Sequence, residues 1–268
     1  MRTTIAHRPQ PRRLSLIGRV AILCAYGGAY GGTNGKGASF VRGRLRSLRL
    51  LPLVGLYAVA MAYVESSVVV YLRDLYDIDD LVRDLPTTTD RLTAIEIGRE
   101  AATIVMLLAV GWLAGRRLQD RMGYFVFAFG LWDIAFYWWL ALFVGWPRSP
   151  FDWDVLFLVP VPWWGPVLAP VLIAGVMCVG GVAAVVGADR GVAWRLTWTN
   201  AAVAATGIAI ILYTFTADAL GAVPDGMDAV VRARPSTFQW PLFALGFAIM
   251  SWAGLRVTWP GRSRLLRT

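Results

Sequence analysis

MGYFVFAFGLWDIAFYWWLALFV, residues Met122–Val144, is an apolar run with a single carboxylate, Asp133, at its centre. A stretch of this length and composition reads as a membrane-spanning helix. At ~1.5 Å of rise per residue, Asp133 falls near the bilayer midplane. Insertion of an Asp at that depth costs roughly 2.5–3.5 kcal/mol. Residues that carry such a cost face other helices or a water-filled cavity and mark a site. The chain is therefore read as an integral membrane protein with polar groups inside its bundle.

Composition points the same way. Hydrophobic residues make up 57% of the 268 and charged residues only 16%, with a mean hydropathy of +0.56. Soluble domains hold about half and roughly a quarter. Outward from Met122–Val144, further spans are expected at Leu50–Leu72, Ile95–Ala114, Val167–Val186, Trp198–Ala217 and Phe238–Val257. The expected fold is all-α, a polytopic transmembrane helix bundle of about six spans. Phe151–Pro170 interrupts it, because Pro160, Pro162, Pro166 and Pro170 cannot share one regular helix. That stretch is expected to form a Pro/Trp-rich interfacial or re-entrant element, with Trp163 and Trp164 at the headgroup level. Residues 1–49 are read as a basic, poorly ordered cytoplasmic leader, 50–258 as the bundle and 259–268 as a basic cytoplasmic tail.

The net charge of +9 is concentrated at the ends. Ten basic residues and no acid lie in 1–49, and Arg256, Arg262, Arg264 and Arg267 close the chain. Basic flanks beside membrane spans answer to the positive-inside rule and to anionic lipid, so no nucleic-acid partner is expected. With the N-terminus inside, loops 73–94, 145–165 and 217–237 sum to −3, −1 and −1, and the two inner loops to +2 and +1. Both termini are thus expected on the cytoplasmic side of a plasma or inner membrane. No oligomeric state follows from the sequence.

His7 is the only histidine, and Cys24 and Cys178 form no framework. This removes bis-His haem and His-rich metal sites and leaves no credible Ser-His-Asp triad. No cofactor and no metal site are expected. The candidate ligand-binding residues are Glu65, Glu96, Arg99, Glu100, Asp133, Tyr137 and Asp154. Glu96, Arg99, Glu100 and Thr103 follow i, i+3, i+4, i+7 spacing and share one helix face. Glu65 lies at a similar depth in the first span, where Arg99 would bridge it to the other carboxylates. Tyr137 is placed to donate to Asp133 one turn away. Asp152 and Asp154 flank Trp153 just outside the membrane, as interfacial anchors or as a cap on a cavity.

The phrases WDIAFYWWL, GWP and PVPWWGPVLAP resemble small bacterial polytopic inner-membrane proteins of unassigned function, over about residues 50–170. The resemblance implies no activity. Three functions remain open from the residues. One is an outward-facing acidic pocket for a small polar or cationic ligand or a lipid headgroup. Another is a membrane-embedded enzyme on a lipid-linked substrate, with Asp133 or Glu65 as general acid or base. The third is a structural subunit whose buried charges only fix helix packing.

Overall fold

The computed structural model describes residues 35–79, 91–158, 161–194 and 197–258. The expected leader lies mostly outside the described residues, and the expected tail 259–268 wholly so. Residues Met1–Arg42 form one unit, of which only the first residues of a helix are described; Gly43–Thr268 form the compact unit that holds everything below. In chain order the helices are α1 (Gly35–Tyr76), α2 (Arg91–Ala114), α3 (Leu118–Val144), α4 (Leu168–Asp189), α5 (Trp198–Gly221), the short α6 (Met227–Arg232) and α7 (Trp240–Thr258). Among the described residues, the helical segments Arg49–Tyr76, Ala94–Ala114, Leu118–Val144, Leu168–Asp189, Trp198–Asp225 and Trp240–Val257 are long and apolar enough to cross a membrane. The protein is a multi-pass membrane protein.

Helix ends are set by local chemistry. Asp120 accepts from the Arg116 and Arg117 backbone amides at 2.9 and 2.6 Å, satisfying donors at the start of α3. Gly145, at φ 66°, closes that helix by returning its N–H to Ala141, a left-handed turn that glycine adopts without penalty. Thr197 caps α5 by accepting from the Asn200 amide.

Packing follows membrane logic, with small residues inside and large apolar ones outside. Ala58, Ala62, Ala128, Ala135 and Ala184 are buried, while Leu56, Val105, Leu113, Val179 and Leu255 point outward. Among the described contacts the α5–α7 pair is extensive and the α3–α4 pair more so. The α3–α4 contact closes through glycine: a Cβ on Gly130 would sit 2.5 Å from the Ala174 carbonyl, and one on Gly181 would sit 2.6 Å from the Gly123 carbonyl. Gly175 and Gly180, on the same helix as Gly181, face open space instead. Trp139 donates to the Val59 carbonyl at 3.1 Å and Ser66 to the Phe136 carbonyl at 3.0 Å, pinning α1 to α3. At the opposite end of α3, Gln119 holds α4 through Ala184 and the following loop through Val192 and Trp194.

The Pro/Trp-rich segment is an antiparallel hairpin. Strand β1 (Trp153–Val155) pairs with β2 (Trp164–Pro166), with Asp154 opposite Gly165. Backbone bonds extend the ladder on both sides, from Leu168 to Pro150 and from Trp163 to Phe157. A two-stranded ribbon needs fewer N–H donors than a helix, so its prolines do no damage at an edge. Asp152 accepts from the amides of Arg148 and Ser149 and shapes the approach to β1.

Candidate functional site

All six spanning helices and the hairpin line one cavity of about 800 Å³. Glu65, Glu96, Arg99, Glu100, Asp133, Tyr137 and Asp154 all face it. Most of the remaining wall is apolar, with Phe129, Ile173, Met177, Ile208, Leu212 and Met250 among its residues. The space is thus an apolar slot whose charged side chains extend from the middle of α1 and α3 to the hairpin.

One side of this charged region is a closed ion cluster. Arg99 forks onto Glu96 through Nε and Nη2 and reaches Glu65 through Nη1. Glu65, only 6% exposed, also accepts from the Thr103 hydroxyl at 3.0 Å. Burying two carboxylates against one guanidinium is tolerable because the planar fork meets both and a hydroxyl takes a further lone pair. Glu100 does not join them as a direct Arg99 partner; its carboxylate accepts from the Leu158 backbone amide of the hairpin. The i, i+3, i+4, i+7 face of α2 therefore points at the cavity as a unit, divided between α1 and the hairpin.

The other side is built around Asp154, which β1 carries inward and which is 7% exposed. Tyr137 donates to Asp154 Oδ2 at 2.8 Å. This corrects the expected Tyr137–Asp133 bond: the phenol is too long to turn back on a carboxylate one helical turn away, and its hydroxyl reaches the hairpin. Interfacial anchoring does not describe Asp154 either. Burial pushes its carboxyl up to about 6, against the downward pull of the Tyr137 hydroxyl, the Arg73 guanidinium and the Val155 amide. Asp133 opens onto the same space, yet its Oδ2 is sealed from solvent and has no hydrogen-bond partner.

Arg73 is the functional candidate that sequence reasoning missed. The expected first span stopped at Leu72 and assigned Arg73 to a loop; α1 continues to Tyr76 and turns Arg73 into the cavity. It lies 4.3 Å from the centre of the Trp146 ring, and it faces Asp154 electrostatically. The signal was present as helical spacing, since Glu65, Val69, Leu72, Arg73 and Tyr76 form one continuous face.

The tryptophans divide. Trp138 is exposed on the outer surface, as a lipid-facing residue would be, and Trp198 is 93% exposed. Trp164 does not sit at a headgroup belt: it is 1% exposed, and Trp163 lines the cavity. Among the described residues, no group of three or more His, Cys, Asp or Glu side chains is arranged to hold a metal ion. Thr214 and Thr216 spend their hydroxyls on the Ile211 and Leu212 carbonyls of their own helix.

No family model, curated protein or solved structure matches this chain. The functional reading therefore rests on the cavity's own chemistry.

Proposed function

We propose that this protein binds a membrane amphiphile, with its polar head in the charged region and its hydrocarbon chain along the apolar slot. The observation that supports this most is the division of one wall into a charged part and a long apolar face. A free polar solute would leave Ile173, Met177, Ile208 and Leu212 without apolar contact, whereas an acyl chain packs against them. Five carboxylates face two guanidinium groups on the lining, which favours a head bearing positive charge.

A photoreactive lipid with a diazirine on its acyl chain tests this. Adducts are expected on the cavity residues Ile173, Met177, Ile208 and Leu212. Adducts confined to outward-facing Leu172 and Val179 would leave the slot without an occupant and overturn the reading.

The loop charges support an orientation with the hairpin end of the bundle outside and both termini cytoplasmic, in a plasma or inner membrane of bacterial type. Reporter fusions ending at Gly226 are expected to signal from outside and those at Gln119 from the cytoplasm. Reversed signals would turn the cavity mouth to the cytoplasm.

A second reading, a membrane-embedded enzyme on a lipid-linked substrate, draws support from Asp154 alone. A buried carboxyl held at about 6 beside a phenol is matched to acid–base work near neutral pH. Chemical change of a bound lipid during incubation distinguishes the two, since a binding protein returns its ligand intact.

A further inference from the structure

Five polar atoms on the cavity wall are buried and without partners, and together they describe a ligand. They are Nε and Nη2 of Arg73, the indole Nε1 of Trp132 and of Trp163, and Oδ2 of Asp133. Buried polar groups are almost always hydrogen-bonded, so each of these needs an explanation. Arg99, by contrast, is engaged by Glu65 and Glu96. The unused capacity on the lining is therefore that of Arg73, Asp133 and the two indoles.

The two free nitrogens of Arg73 form one edge of the guanidinium. Nε–H and the adjacent Nη2–H point in parallel, and that edge takes two oxygens of a phosphate or carboxylate at once. The guanidinium carbon already lies over the Trp146 ring, so the edge remains for recognition. With the two indoles, the site offers four unused donor atoms against a single unused acceptor. A simple cation would satisfy Asp133 and leave all four donors bare, at a desolvation cost for each. A simple phosphate would do the reverse and would meet the Asp133 and Asp154 carboxylates.

We infer that the headgroup is a zwitterion: a phosphodiester held on the Arg73 edge, and a primary ammonium donating to Asp133 Oδ2. This rests on the amphiphile reading and names its head. The class is a phospholipid of phosphoethanolamine type. A choline head lacks the N–H that Oδ2 needs, and a glycerol head lacks the charge. The apolar slot continues from this point past Phe129, Met177 and Leu212, where a hydrocarbon chain fits and a soluble phosphoethanolamine gains nothing.

The experiment is native mass spectrometry of the full chain in detergent, offered phosphatidylethanolamine, phosphatidylcholine and phosphatidylglycerol with identical acyl chains. Phosphatidylethanolamine is expected to be retained about tenfold over the other two, a difference of about 1.4 kcal/mol. Asp133→Asn is expected to bring it down to the phosphatidylglycerol level. Arg73→Gln is expected to lower all three lipids, and Arg73→Lys, which keeps the charge but loses the paired edge, to lower them by less. Melting curves of each variant in the same detergent identify any that fail to fold. In that event the wild-type lipid ranking and Arg73→Lys still decide.

Equal retention of the three lipids, a preference for phosphatidylglycerol, or an ethanolamine preference that survives Asp133→Asn would each overturn the headgroup assignment. Ile208→Trp, which fills the apolar slot, separates the two levels of argument. If it releases lipids that the wild type held without preference, the amphiphile reading stands and the head is wrong. If it leaves retention unchanged, the lipid was on the outer surface and both fall. Displacement by glycerophosphoethanolamine at concentrations similar to the lipid would move the source from the membrane to solution and likewise overturn the proposal.

Discussion

Arg99→Ala is expected to destabilise the protein by roughly 3–5 kcal/mol in detergent, the usual loss when one partner of a desolvated pair is removed. Arg99 is the shared cation of two carboxylates, and Glu65, the deeper of them, retains only the Thr103 hydroxyl once the guanidinium is gone. Glu65→Ala should cost less, because Glu96 still holds Arg99 in a fork. The double change should cost less than the sum of the single ones, since each removes the same contact. Equilibrium unfolding of the four proteins in a common detergent measures the cycle. Additive losses would mean that the pair contributes nothing jointly. Glu65→Gln keeps shape and loses charge, so it is expected to fold while weakening ligand retention.

Gly130→Leu is expected to prevent α3 and α4 from docking. A Cβ there would lie 2.5 Å from the Ala174 carbonyl and 3.1 Å from the Cys178 amide nitrogen, both of them helix backbone. Backbone cannot rotate aside as a side chain does, so the helices must separate. Even Gly130→Ala should cost at least the roughly 1–3 kcal/mol typical of overpacking. Gly175→Ala, on the partner helix, is the contrasting case. Nothing lies within 4 Å of its added methyl, and Ala favours a helix over Gly by about 1 kcal/mol. Detergent melts should then move in opposite directions for the two alanine variants. A stable Gly130→Leu protein would show that the α3–α4 contact is not the close approach described.

Spanning helices declare themselves through length and hydropathy, and this explains why their number and approximate bounds were legible. The charged face of α2 was legible for a similar reason, because helical periodicity alone places Glu96, Arg99, Glu100 and Thr103 together. What periodicity cannot supply is the position of a side chain brought in by another element. Asp154 reaches the cavity only because a hairpin folds between α3 and α4, and its two short strands leave no alternation long enough to read. Proline content excluded a helix there without naming the alternative. Trp164 was misjudged on the same account, since an aromatic beside a membrane span reads as a belt residue unless the ribbon that buries it is known. The seven candidates face a common cavity.

The volume of that cavity sets a condition on the protein as it sits in a bilayer. Where the cavity of about 800 Å³ is lined by apolar side chains, an unfilled space would leave those side chains without the contacts a packed core gives. Water is a poor filler for the deep part, where Phe129, Ile173, Met177 and Met250 give it nothing to bond. A hydrocarbon chain lodged there would be a missing piece of the hydrophobic core, supplied by the membrane instead of the gene. Solubilisation by a detergent that strips such a chain would then act on this fold as a core mutation does.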